Sequence, residues 1–395
     1  MPPPRHITSR PSRTITDRQP VPGDRTLLAL QANMDPKTSP LARYLLAAYT
    51  LLIVYASLHP FSGWRDQGAG AFAFLSAGLP RYVTSFDLTA NFVAYLPFGF
   101  LAVMVLHPRV KGMPGLAAAC VTGCVLSLAL ETLQTFLPSR IPSNLDLLTN
   151  GLGTLAGAGL ALKFGIRLLG SGRIYAMRHR LFVSGAQYDL GLVLLALWLF
   201  TQFNPEILLF GNGDLRGLLD QRSPELHPAE LFISMEAAVA ACNLVAVGLF
   251  TASLANPGQP LRRLLLALLA SALAVKTVAA GILFKSLNIL AWLTPGALIG
   301  IACGAAALML AVWLPRAARV AVSGLALMAA TVLVNLAPEN PYLANALHQW
   351  PQGYFLNFNG LTRLVSLAWP FVALFYLILL APRLAHEPEN SHARL

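Results

Sequence analysis

Residues 114–137 read PGLAAACVTGCVLSLALETLQTFL, a continuous apolar run in which Glu131 is the only charged residue. A helix rises about 1.5 Å per residue, so about 20 such residues cross the hydrocarbon core of a bilayer. Strands of a membrane barrel would instead alternate apolar and polar residues. The length and composition of this run therefore predict a membrane-spanning helix.

The rest of the chain has the same character. Of its 395 residues, 56% are hydrophobic and 11% are charged, whereas about a quarter of the residues in a soluble domain are charged. This composition excludes an ordinary soluble domain and a disordered chain. Four cysteines in this length also exclude a disulfide scaffold. The sequence predicts an all-α fold, a polytopic membrane helix bundle.

Breaks rich in proline, glycine or charge divide the chain into about ten predicted transmembrane helices. The predicted spans are 41–61, 87–106, 114–137, 145–168, 187–203, 229–254, 262–284, 288–311, 318–337 and 361–381. We expect a four-helix membrane domain at 41–168 and a six-helix membrane region at 187–382, joined by a cytoplasmic linker at 169–186. Residues 1–40 would form a disordered basic tail, and 383–395 a second cytoplasmic tail.

The distribution of Lys and Arg predicts the orientation of the spans. The chain holds 28 Lys and Arg against 17 Asp and Glu, a net charge of +11. If the N-terminal tail is cytoplasmic, 20 of the 28 positive residues fall in cytoplasmic segments. By the positive-inside rule, both termini are then in the cytoplasm. This explains the basic charge by topology, so the expected partner is the lipid bilayer and not nucleic acid.

Seven polar side chains are expected at one depth, at the outer ends of the second, third and fourth spans. They are Asp87, Asn91, Glu131, Gln134, Arg140, Asp146 and Asn150. The loop 138–145 is short, so the spans on either side of it are neighbours. Gly153 and Gly157 form a stripe of small residues that permits close helix packing. A carboxylate at intramembrane depth is costly unless it faces protein, a counter-charge or water, so we interpret the set as a candidate polar pocket.

A structural alternative explains the same residues. Glu131 and Arg140 would form a salt bridge, and Asp87 and Asp146 would only cap helices. As a pocket, the set offers the planar guanidinium of Arg140 to a phosphate or carboxylate. Glu131 or Asp146 would transfer a proton or accept a hydrogen bond from a sugar hydroxyl.

Motifs of several enzyme classes are missing from the sequence. It contains no P-loop, HExxH or GxSxG, which argues against an ATPase, a zincin or a serine hydrolase. Cys120 and Cys124 are four residues apart with no histidine nearby, which does not fit a metal site. We expect no cofactor, no metal and no recognised catalytic motif.

The order and spacing of the polar and glycine motifs resemble the VanZ-like family over about residues 41–168. The pattern runs Asp87-x3-Asn91-x5-Pro97-Phe98-Gly99, then Glu131-x2-Gln134, Arg140, and Asp146-x3-Asn150-x2-Gly153-x3-Gly157. The resemblance implies a small integral domain in the cytoplasmic (inner) membrane of a bacterium. The founding member of that family is linked to low-level resistance to the glycopeptide teicoplanin.

The outward pocket and the resemblance together predict a role in the cell envelope. We expect a protein that handles envelope glycan or lipid-linked intermediates at the outer side of the membrane, with glycopeptide (teicoplanin-type) resistance as the implied phenotype. Its ligand would be a lipid-linked glycan or a phosphate headgroup. Two alternatives stay open: a membrane transferase or hydrolase acting on lipid-linked phosphates, and a small-molecule transporter.

Overall fold

A computed structural model describes residues 40–68, 70–78, 84–170, 173–204, 207–216, 228–283, 289–290, 292–337 and 356–385. Its α-helices are α1 (Pro40–Leu58), α2 (Ala73–Ser76), α3 (Ser85–Leu106), α4 (Gly112–Gln134), α5 (Asn144–Leu160), α6 (Arg173–Leu181), α7 (Ala186–Thr201), α8 (Ala229–Leu254), α9 (Leu261–Leu283), α10 (Pro295–Ala311), α11 (Arg316–Leu336) and α12 (Leu356–Ala385). A π-helical segment, Ala161–Gly170, continues α5. These residues contain no strand, only one isolated β-bridge between Phe182 and Ala255. The predicted polytopic helical bundle is confirmed.

A helix lies at each of the ten predicted spans, but two of these helices are short. Eight are long and apolar enough to cross a membrane: α1, α3, α4, α5 with the start of the π-helical segment, α8, α9, α11 and α12. The shorter apolar helices are α7 and α10. Helix α10 begins later than predicted because Thr294 caps it, accepting a hydrogen bond from the N–H of Ala297, and Pro295 occupies its first turn.

The predicted tails fall largely outside the described residues. Helix α1 begins at Pro40, the last residue of the predicted N-terminal tail, and α12 runs to Ala385, inside the predicted C-terminal one. Within the predicted linker at 169–186 the chain forms α6. The cytoplasmic position of both termini stays a prediction.

Helices α3 and α5 pack backbone against backbone through glycines. A Cβ atom on Gly153 would overlap the carbonyl oxygen of Phe92, and one on Gly157 would overlap that of Leu96. From the other side, a Cβ on Gly99 would overlap the carbonyl of Thr154. Membrane helices associate through van der Waals contact of this kind because lipid supplies no hydrophobic driving force between them. The glycines therefore fix the position of α5 along α3.

Among the residues that the structure describes, the buried core forms two hydrophobic clusters. One lies among α1, α3, α4 and α5 and includes Tyr95, Phe98 and Leu130. The other lies mainly among α7, α8, α11 and α12 and includes Trp198 and Trp369. Helix α1 belongs to the first cluster and also contacts α7 and α12. It therefore connects the two groups of helices.

Two glycines of α5 provide a matched test of the packing. We expect Gly157→Ala to lower the free energy of unfolding by about 1–3 kcal/mol, because an added methyl group overpacks the α3–α5 contact. Gly159→Ala is the control, since a Cβ at Gly159 meets no atom within 4 Å. It should be neutral or stabilising by up to about 1 kcal/mol, the helix propensity of Ala over Gly. Thermal unfolding in detergent measures both, and equal stability of the two variants would contradict the close contact.

Candidate functional site

The site lies where α3 and α5 begin and α4 ends. Helix α3 begins with a capping box: the Thr84 hydroxyl accepts from the N–H of Asp87, and the Asp87 carboxylate accepts from the N–H of Thr84 (3.1 and 3.3 Å). Helix α5 begins after Ser143, whose hydroxyl accepts from the N–H groups of Leu145 and Asp146 (3.1 and 3.4 Å). An acidic residue in the first turn of each helix complements the helix dipole.

Asp146 connects α5 to α3 at the open edge of the site. The Asn91 side chain lies close enough to interact with the Asp146 carboxylate, and the charge of Asp87 acts on the same carboxylate. Asp87 is exposed, whereas Asn91 and Asp146 are half-buried. Residues 87–91 of α3 therefore lie opposite the first turn of α5, next to the close α3–α5 contact at Gly153 and Gly157.

Glu131 lies deeper and connects α4 to the start of α5. It is only 4% exposed. Its Oε2 accepts a hydrogen bond from the backbone N–H of Ser143 at 2.8 Å. That N–H precedes the first turn of α5, so the carboxylate takes the place that a capping side chain often fills at a helix start. The charge of Asp146 also acts on Glu131.

A polar network continues about one helical turn below Glu131. The Asn150 amide nitrogen donates to the Ser127 hydroxyl at 2.9 Å, and both residues are buried. The Tyr95 side chain also interacts with Ser127. The carbonyl oxygen of the Asn150 side chain is buried without a hydrogen-bond partner among the described residues. Because a buried acceptor left without a donor is costly, this oxygen is an attractive position for a donor from a ligand.

Arg140 and Gln134 face away from this network and hold the end of α1. The Arg140 guanidinium donates to the carbonyls of His59 (2.7 and 3.0 Å) and Ala56 (2.9 Å). The Gln134 amide donates to the carbonyl of Ser57 at 3.0 Å. The last carbonyls of a helix have no partner inside it, so both side chains cap α1. Burial lowers the pKa of Arg140, but an arginine remains charged at physiological pH.

The structure thus divides the seven predicted residues into two sets. Asp87, Asn91, Glu131, Asp146 and Asn150 lie around the start of α5, and Gln134 and Arg140 bind the end of α1. Within the described part of the chain, the ion pairs are Arg178–Asp189 and Asp214–Arg216. The structural alternative of a Glu131–Arg140 ion pair is therefore not what the structure has.

Sequence reasoning missed three members of the site. Ser143 and Ser127 bind Glu131 and Asn150, and Tyr95 binds Ser127. Signals for two of them were present: Ser143 has the residue type and position of a helix cap, and Ser127 lies one turn before Glu131 on the same helix face. Nothing local to Tyr95 indicates its partner on another helix.

The chemistry of the site is dominated by acceptors. Carboxylate and amide oxygens accept hydrogen bonds, and the carboxyl groups of Asp87, Glu131 and Asp146 lie here with the side-chain oxygen of Asn150. No group of three or more His, Cys, Asp or Glu among the described residues could hold a metal ion. A fitting ligand therefore supplies donors, either hydroxyl groups or amines.

Residues 32–167 match the model of the VanZ/LLP1 family. This confirms the resemblance predicted for about residues 41–168. The match covers about a third of the 395-residue chain and includes every residue of the site. No curated protein and no solved structure gives a match. The VanZ-like region thus comprises α1 to α5, and the chain is a multi-pass membrane protein.

The role of Arg140 in the VanZ-like region can be tested by stability. We expect Arg140→Met to lower the free energy of unfolding by about 1.5–3 kcal/mol, the contribution of a hydrogen bond to a charged group. Arg65→Met is the control, because Arg65 is exposed and its described contact is a backbone one, to the carbonyl of Phe136. Both variants are compared by thermal unfolding in detergent. Unchanged stability of Arg140→Met with loss of function would instead make Arg140 a ligand-binding residue.

Proposed function

We propose that the VanZ-like region binds the glycan part of a cell-envelope intermediate at the outer side of a bacterial cytoplasmic membrane. The observation that carries this proposal is the acceptor cluster around the start of α5, where Glu131, Asp146 and Asn150 meet. Sugars present several hydroxyl donors and amino sugars also present nitrogen donors, so the donor pattern of a glycan complements a site of acceptors. Binding of such an intermediate would connect the protein to teicoplanin-type glycopeptide resistance.

The same cluster disfavours a phosphate in this place. Carboxylates repel an anion, and the one cation that the sequence offered for phosphate, Arg140, donates to the carbonyls at the end of α1. A lipid-linked phosphate would keep its phosphate outside the cluster while its sugar enters. This favours glycan binding over transfer or hydrolysis of the phosphate as the function of these residues.

The outward position of the site rests on the distribution of positive charge. With both termini in the cytoplasm, the starts of α3 and α5 and the end of α4 are at the outer surface. The exposed Asp87 and the half-buried Asp146 would then face the compartment in which envelope glycans are assembled, with Glu131 and Asn150 buried deeper in the protein. Reporter fusions within residues 62–68 should report the outer side and fusions within residues 173–180 the cytoplasmic side, and the reverse result would contradict this orientation.

Asp146 gives the sharpest test of glycan binding. We expect Asp146→Asn to keep normal membrane abundance, because an amide still pairs with Asn91, and to weaken binding about tenfold or more through loss of a charge-assisted hydrogen bond. The probe is a polyprenyl-pyrophosphate-linked amino-sugar glycan, titrated into the full-length protein in nanodiscs. Survival under glycopeptide stress should fall in parallel.

Two controls define the outcome. Asp66→Asn removes an exposed carboxylate that contacts the N–H of Gly68 in the loop after α1, and should bind like the original protein. Polyprenyl pyrophosphate without sugar should bind more weakly than the glycan-linked form. Equal binding of both lipids, or equal loss in both variants, would contradict glycan recognition by this site.

A further inference from the structure

Helix α6 exposes large apolar side chains and buries none of its residues. Ile174 is 40% exposed and Met177 is 54% exposed. At 100° per residue, these two side chains and Leu181 lie on one face of the helix. The next helix, α7, has half of its 16 residues buried in the protein. An apolar face of this kind on a nine-residue helix requires a partner outside the protein fold.

Chain connectivity places α6 at the membrane surface. The membrane-spanning stretch that contains α5 ends at Gly165, and the next apolar helix, α7, begins at Ala186. Helix α6 lies between them and is too short to cross, since nine residues span about 14 Å. It therefore lies where the chain leaves the membrane and enters it again.

Polar contacts at its C-terminal end hold α6 to neighbouring helices. The Asn256 side chain donates to the carbonyls of His179, Arg180 and Phe182 at 2.9–3.0 Å. The Asn256 backbone N–H donates to the carbonyl of Leu181 at 2.9 Å. Arg178 forms an ion pair with Asp189 in the first turn of α7. The end of α6 is thus fixed by hydrogen bonds and a charge pair, which leaves its apolar face turned outward.

The charges of α6 identify the partner. The helix contains three arginines and no acidic residue. Arg178 is paired with Asp189, whereas Arg173 and Arg180 are exposed and their side chains have no hydrogen bond or ion pair with the described residues. Seven residues apart, Arg173 and Arg180 share a face that borders the one carrying Ile174 and Met177. An apolar face bordered by arginines is the pattern of a helix lying in an anionic membrane interface.

We propose that α6 is an interfacial helix that binds the headgroups of anionic phospholipids. Ile174, Met177 and Leu181 insert among the upper acyl carbons, and Arg173 and Arg180 donate to headgroup phosphates. The contacts of Asn256 and Arg178 then connect this lipid-bound helix to α7 and to the end of α8. The bound headgroup therefore stabilises the junction between the VanZ-like region and the remaining helices.

The test compares lipids and matched arginine variants. Full-length protein is titrated with phosphatidylglycerol and with phosphatidylcholine, and the bound lipid is counted by native mass spectrometry. The original chain should prefer phosphatidylglycerol, and Arg173→Gln/Arg180→Gln should lose about tenfold or more of that preference. Because both arginines are exposed, the double variant should unfold at the same temperature as the original in phosphatidylcholine alone.

The control removes the same charge elsewhere on the predicted cytoplasmic face. Arg109 and Lys111 are exposed between α3 and α4, and Arg109→Gln/Lys111→Gln should keep the preference for phosphatidylglycerol. Ile174→Ser/Met177→Ser, which retains the arginines, should weaken binding of either lipid at the helix. An equal loss in the two charge variants would assign the preference to the general surface charge, and no loss in either would also overturn the proposal.

Discussion

The fold depends on how backbone carbonyls at helix ends find donors inside a membrane protein. The last carbonyls of a helix have no partner within it, and in hydrocarbon each unpaired group costs several kcal/mol. Side chains from distant parts of the chain meet this need. In the described part of the chain, four cations do so at four different places: Arg140 at the end of α1, Lys276 beyond α7, Arg316 at the end of α8 and Arg216 beyond α11. These contacts determine where the connections between helices lie.

This constraint changes how charged residues in an apolar sequence are interpreted. Lys276 is buried and donates to the carbonyls of Asn204 and Ile207, at 2.7 and 3.0 Å. Glu236 lies instead beside Gly296 and interacts with Thr294, at the start of α10. A cation at carbonyl ends and an anion at a helix start are the arrangement that helix dipoles favour. Glu236 and Lys276 therefore serve different helix ends, although their charges also act on each other.

The sequence predicts local features well and long-range partners poorly. Hydropathy places a helix at each of the ten spans, and the spacing of Asp146 and Asn150 puts them on one face because a helix repeats every 3.6 residues. The carbonyls that Arg140 reaches lie more than 80 residues earlier in the chain. That choice follows from where α1 packs against α3 and α4, which no local pattern encodes. The start of α10 at Pro295 is indicated by local sequence, since Thr294 followed by Pro295 is typical of a helix start.

The acceptor cluster owes its geometry to the same packing. Because Gly153 and Gly157 leave no space between α5 and the α3 backbone, sliding of α5 along α3 would bring backbone atoms into collision. This close packing of α5 on α3 therefore fixes the position of Asp146 relative to Asn91. A second constraint comes from Arg140, which binds the loop after α4 to the end of α1. In the same loop, the backbone N–H of Ser143 donates to Glu131. Arg140 thus helps to position Glu131, because it fixes the loop in which the N–H of Ser143 binds that carboxylate.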